Sequence, residues 1–492
     1  MRRGLVLNLI GNVVFFLTSY GIHYYLGSTM PAASYGIVGT IMTVLDFEYM
    51  FLSNGARQSL AKEISMRRFD VGDVIRKSLL FQLLLILAFF CINFFGAPVF
   101  SYILNDPTLA IYFRIAAFLV PANGLFVLLL GLSDGIQRFS TSALLSTIYP
   151  IAKLSVIPLI IFFFQKDPVA GMEVGYLLAL IFSIGLGCIL MFRYRKELKS
   201  FSSRVIPFRT IAHNTLSFSI FFIMVSLVLS IDTLIVKSVV KPASMAGYYT
   251  GAVNFGKLSY YLMTAFFTVI LPVVAKAVGQ NDVHGAVKQV KQFILLVLSF
   301  ILPIPIVISA SSASLLISFY HPAYAVAGTA LSFLSLSSFF MGMTVMLNMV
   351  HTSFSSNRFS DALSICSLVI VVPIFILAAK FGGITHIALA SMICTGIAMV
   401  ISYLILARKT GNIITRNAII AIVSNAILWV VVRLLFHVFN IEGLGIMALI
   451  YVVIYGLYIT IMLATHVVVI PKDLLNMIRK RGGRKNSEEA VH

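Results

Sequence analysis

The chain has 492 residues, of which 60% are hydrophobic and only 11% charged, and it carries a formal net charge of +19. A soluble domain carries about 25% charged residues and a single hydrophobic core stops growing near roughly 300 residues, so the composition excludes an ordinary soluble protein. The positive balance does not point to nucleic acid either, because the bases fall between apolar segments and not on a solvated face interleaved with aromatics.

Taken in chain order, the apolar segments read as membrane-crossing helices, each of which needs about 20 apolar residues. Met1-Arg2-Arg3 leads into a first segment, Leu5 to Leu26. It is too long for a secretory h-region and lacks a clean small-residue cleavage site, so a retained span is expected. Further segments follow at 36–53, 78–102, 110–131, 141–164, 172–192, 215–238, 247–272, 293–317, 325–349, 361–379, 384–407, 418–438 and 445–470. The pattern predicts an all-α polytopic membrane protein of about fourteen transmembrane helices. Pro121, Pro150, Pro158, Pro303, Pro305 and Pro373, in or near spans, predict kinks. Cys91, Cys188, Cys366 and Cys394 each stand alone in an apolar run and read as packing residues, neither disulfides nor metal ligands.

The loops sort by charge. The cluster Arg57, Lys62, Arg67, Arg68, Arg76 and Lys77, the stretch Arg193 to Arg209 and the tail Lys472 to Lys485 fall on one side. The opposite loops are assigned only Arg114, Lys166, Lys241 and Lys380. Basic loops stay in the cytoplasm, so both termini are expected there. The opposite loops are too short to hold carboxylates around a glycan, which counts against a polymerase or ligase. Pro31-Ala32-Ala33-Ser34-Tyr35-Gly36 precedes the second segment and Pro242-Ala243-Ser244-Met245-Ala246-Gly247 the eighth, with Pro, Ala and Gly matching at an offset of 211. A parallel repeat after six helices predicts two pseudo-symmetric lobes with a cavity between them. The lobes would span 1–210 and 211–410, with two additional helices over 411–470 and a basic tail over 471–492.

Four ordered stretches resemble the polysaccharide-flippase branch of the multidrug/oligosaccharidyl-lipid/polysaccharide (MOP) exporter superfamily. The first runs from Leu26-Gly27 to Ser59, with Tyr35-Gly36, Phe51, Gly55 and Arg57. The second runs from Gly131 to Leu154, reading G-L-S-D-G-I-Q-R-F before a span that contains Lys153. The third, Leu227 to Ala275, holds Ile231-Asp232, Gly247-Tyr248, Ala252 and Leu271-Pro272. The fourth, Phe319 to Ala390, holds Tyr324, Ala327, Leu331, Phe381-Gly382-Gly383-Ile384 and Ala388-Leu389-Ala390. The resemblance implies a non-enzymatic flippase of the bacterial cytoplasmic membrane. It would move an undecaprenyl-pyrophosphate-linked oligosaccharide outward by alternating access, for surface polysaccharide biosynthesis. Its partners would be that substrate, membrane lipids, a glycan polymerase and glycosyltransferases. A lipid II flippase and a cation-coupled multidrug antiporter of the same superfamily are the alternatives. No cofactor or metal is expected, and any coupling ion would be H+ or Na+. Many such flippases line the cavity with arginine, whereas the mid-membrane cations here are few and mostly lysine.

Ionisable groups inside spans are costly and each is a functional candidate. Lys153 lies too deep in the fifth segment to snorkel, where an ammonium can hold a headgroup phosphate as a point charge. Asp46 and Lys257 share a repeat position and can face each other across the cavity as a gate. Arg57 joins them among the candidate cavity residues. Glu48 points about 200° away from Asp46 on a helix, so the two cannot both face one cavity and one of them is expected to bond to a neighbouring helix or to lie near the cytoplasmic interface; Glu48 is a coupling or gating candidate. Asp232, on the seventh segment with Lys237 beyond it, falls on the family's usual aspartate and is the other coupling candidate. Tyr20, Tyr24, Tyr25, Tyr260 and Tyr261 are candidates for stacking on sugars, or for an interfacial belt.

Overall fold

The computed structural model describes residues 2–66, 68–194, 198, 203–354, 358–439 and 441–468. Among them the chain forms fourteen long helical rods: α1 Arg2–Thr29, α2 Ala32–Met66, α3 Val71–Ile103, α4 Leu109–Gly135, α5 Phe139–Phe162, α6 Pro168–Arg193, α7 Phe208–Val239, α8 (244–279), α9 Val283–Ala310, α10 Pro322–Phe354, α11 (358–381), α12 (384–410), α13 Arg416–Phe439 and α14 Leu444–Ala464, with a short helix, Ser312–Phe319, between α9 and α10. Ten helices of the described chain are long and apolar enough to cross a membrane, and the protein is a polytopic membrane protein. Most rods run past the apolar segments read from sequence. Their amphipathic ends continue the backbone ladder beyond the hydrocarbon; in α2, for example, Lys62 and Glu63 extend the helix to Met66.

Local chemistry sets the boundaries. Asp70, Asp167 and Asp282 cap α3, α6 and α9 by accepting from the backbone N–H groups of Asp73, Ala170 and Gly285, satisfying donors that the first turn leaves open. Between α11 and α12, Gly383 has φ +59°, a left-handed turn that favours glycine.

Helices α1–α6 pack among themselves and α7–α12 do likewise, giving two groups that meet chiefly along α2, α7 and α8. The last two helices dock on the second group. Helix α9 widens into a π-helical turn over Val297–Ile301, and carbonyls there are taken by side chains of α13 and α14. Asn425 donates to Leu298 O at 3.0 Å, and Tyr455 donates to Phe300 O at 2.8 Å. The outer faces of both helices are exposed and apolar, as at Val423, Ile427, Leu449 and Val452, which suits contact with lipid tails.

Candidate functional site

Three of the central charged residues sit at or just before an interruption in their helix. Lys153 ends the first half of α5, which breaks at Leu154–Ser155. Lys257 caps the first half of α8 at Gly256. Asp46 precedes a π-helical turn, Met50–Arg57, in α2. Both lysines thus occupy the C-terminal end of a half-helix, where the backbone dipole favours a cation.

These side chains face one gap between the two helix groups. The Lys153 ammonium sits 3.8 Å from the centroid of the Tyr176 ring and 5.3 Å from that of Tyr149. Asp46 is within electrostatic reach of both Lys257 and Lys153, and Lys257 is within reach of Asp232 as well as Asp46. Among the described residues no ion pair joins Asp46 to either lysine; Lys257 donates to Ser230 Oγ at 2.8 Å instead. Asp46, Lys153 and Lys257 are each half-buried. The result is a row of alternating charge, Lys153, Asp46, Lys257, Asp232.

The other candidates are engaged elsewhere. Asp232 is 2% exposed and accepts from Tyr249 Oη and from the Thr233 backbone N–H, each at 2.7 Å. Lys237 does not pair with it; the ammonium reaches Asp106 Oδ2 at 2.6 Å. Glu48 turns away from Asp46 and accepts from Asn93 Nδ2 on α3 at 2.6 Å. Arg57 Nε donates to Asp134 at 2.8 Å and its guanidinium reaches Ser142 at 3.0 Å, tying α2 to α4 and α5. Tyr20 donates to Asn254 O at 3.0 Å and packs on Phe255 and Phe319.

The two groups are sealed against each other at the end away from the basic loops. Helices α2 and α8 cross there at the repeated motifs: a Cβ on Gly36 would lie 2.8 Å from Gly247 N, and one on Gly247 would overlap the Ala32 carbonyl. Asn254 donates to Tyr35 Oη at 2.7 Å; that hydroxyl also meets Tyr320 Oη at 3.2 Å and His23 Nδ1 at 3.0 Å. Lys237–Asp106 and a bond from Asn105 Nδ2 to Ser238 O at 2.8 Å add a polar latch between the groups. Burial alone pushes the Asp106 carboxyl up, but hydrogen bonds from Lys237 and Thr108 outweigh it and hold the group below its ordinary value.

Sequence reasoning did not single out Tyr149, Tyr176, His23, Asn93 or Asn254. For Tyr149, Tyr176 and Asn254 the available signal was an intramembrane charge one turn away, at Lys153, Glu173 and Lys257; His23 and Asn93 have no charged residue within two turns along the chain. Among the described residues no group of three His, Cys, Asp or Glu side chains is arranged to hold a metal ion.

Two helix groups that meet along a row of alternating charge have the architecture of a membrane transporter. The fold matches the lipid II flippase MurJ in an inward closed conformation, with TM-score 0.67 and 15% identity over 96% of this chain and 100% of that one. It matches an inward-facing multidrug resistance MATE family transporter with TM-score 0.66 and 16% identity, over 81% of this chain and 95% of the other. A MOP superfamily transporter from Pyrococcus furiosus, described as having a binding pocket of reversed polarity, matches with TM-score 0.60 and 16% identity over 83% and 94%. At these identities the likeness establishes the fold. By sequence, a family model described as polysaccharide biosynthesis protein matches residues 1–278, and the MatE model matches 218–377. The chain belongs to the polysaccharide biosynthesis protein family. No curated protein matches the sequence.

Proposed function

We propose that the protein is a flippase that carries a lipid-linked oligosaccharide, joined to its polyprenyl carrier by pyrophosphate, across the bacterial cytoplasmic membrane for surface polysaccharide synthesis. The observation that carries this reading is Lys153, a cation held partway along α5 against the rings of Tyr176 and Tyr149. An ammonium there attracts the carrier's phosphate, and the flanking rings offer faces for sugar. Family membership and the resemblance to a lipid II flippase support a lipid-linked substrate. Asp46 and Lys257 serve as the gate, and Asp232 and Glu48 as coupling groups. The charge asymmetry of the loops supports a cytoplasmic location for both termini, with substrate entering from that side. Glycosyltransferases supply the substrate and a polymerase consumes it.

The test is a strain lacking the protein. Loss of surface glycan with unchanged tolerance to cationic drugs supports the reading. Unchanged glycan with reduced dye efflux would assign the protein to drug export.

A further inference from the structure

The pair formed by Glu48 on α2 and Asn93 on α3 has a hydrogen-bond pattern that the cavity does not use. Both side chains are inside the first helix group, 4% and 0% exposed. Asn93 Nδ2 donates to Glu48 Oε1. The remaining oxygen of each, Glu48 Oε2 and Asn93 Oδ1, is closed to solvent and meets no donor among the described residues. One turn nearer the basic end, Phe51 and Phe89 pack with ring centroids 5.4 Å apart. One turn the other way lie Leu45 and Ala97, both buried. The site is therefore apolar on both sides.

The charges around it do not compensate a carboxylate. Among the described residues no Lys or Arg pairs with Glu48. Tyr49 and Asp46 are its titratable neighbours on α2, and α3 meets it with Asn93. The titratable groups of the other helices packed on α2 turn elsewhere: Tyr112 to Asp167, Tyr176 to Lys153, Asp232 to Tyr249, and Lys257 to Ser230. Glu173 lies beside Asp167.

An isolated buried carboxylate is far too costly to persist, and an unmet amide oxygen beside it adds about 1–3 kcal/mol. One proton removes both problems. With hydrogen on Oε2 the acid donates to Asn93 Oδ1 while Asn93 Nδ2 donates to Oε1, closing a two-point ring. A metal cation is a poorer occupant, because hard cations take about six or more oxygens and this site offers two. We infer that Glu48 and Asn93 form a proton-binding site, loaded in this conformation, whose proton exchanges with water when α2 and α3 part. Glu48 stands between Asp46 and the π-helical turn of α2, so discharge of the site is transmitted to the gate helix. That coupling rests on the proposed transport; the proton site does not.

The test is an infrared pH titration of the full-length protein in lipid, read at the carboxylic-acid C=O band in light and heavy water. The expected result is an acid band that E48Q abolishes and that N93L moves to higher frequency, because the ring is broken. Glu173, with both oxygens unpartnered, gives a separate band at the frequency of a free acid, which E173Q removes. No loss of any acid band in E48Q overturns the site. A Glu48 carboxylate band that shifts with sodium overturns it in favour of a cation. For the coupling, export by wild-type protein should accelerate with an inward proton gradient, and E48Q should lose that acceleration. An acid band assigned to Glu48 together with a full gradient response in E48Q overturns the coupling alone. The expected bands in a protein that exports no lipid-linked glycan would instead count against the proposed function.

Discussion

Replacing Gly247 with alanine perturbs the seal at a single atom. The added Cβ would overlap the Ala32 carbonyl across the α2–α8 crossing. Backbone cannot rotate out of the way as a side chain can, so the two helices must separate. Overpacking of this kind costs about 1–3 kcal/mol. The cost falls only on the conformation in which the helices touch, so it shifts the balance toward opening at that end by about 5- to 150-fold, taking 1.4 kcal/mol per tenfold. The assay is labelling of Thr250→Cys by a membrane-impermeant maleimide added from the outer side, in a background without the four native cysteines. Thr250 is 4% exposed and lies one turn below the crossing, so the closed state protects it. G247A should raise its labelling rate severalfold or more, whereas G21A should not, because nothing lies within 4 Å of a Cβ at Gly21. Equal labelling in G247A and G21A, with both proteins folded, would refute the argument that this crossing is the seal.

Asp46 and Lys257 should be coupled without being a contact pair. D46N and K257M are each expected to lower export, with a coupling of about 0.5–3 kcal/mol in the double-mutant cycle; strictly additive losses would remove the electrostatic link. K153Q should reduce export at least about tenfold (1.4 kcal/mol) at normal membrane levels, and K153R should retain part of it, because a guanidinium also stacks on Tyr176. Asp106 tests the latch: a carboxyl held below its ordinary value contributes stability above that value and loses it as pH falls through the lowered one. Its contribution to outer closure should therefore be constant between about pH 5 and pH 8, and D106N should loosen the latch throughout, measured as faster Thr250→Cys labelling.

Much of this architecture is legible in the sequence because lipid imposes long apolar runs and charge asymmetry labels the loops. The repeat at Pro31–Gly36 and Pro242–Gly247 is also legible, and the structure gives it a physical meaning: the two glycine motifs meet each other at the α2–α8 crossing. Hydropathy does not reveal where a helix breaks. The interruption after Lys153 follows Pro150, but that at Lys257 and the π-helical turn at Met50–Arg57 depend on tertiary packing. Burial cost marks Asp46, Glu48, Lys153, Asp232 and Lys257 one by one as unusual, yet it names no partners. That Lys237 reaches Asp106 and not Asp232, or that Glu48 meets Asn93, is decided by helix rotation between α2, α3 and α7.

The central claim concerns the cargo, and reconstituted translocation tests it most directly. Vesicles containing the purified protein and a pyrophosphate-linked polyprenyl oligosaccharide confined to one leaflet would be followed by enzymatic cleavage of the sugar that reaches the other leaflet. Transfer is expected with wild-type protein, with its loss in K153Q and its near-retention in G21A. Transfer no faster than in protein-free vesicles, from a preparation that moves cationic dyes, would contradict the claim.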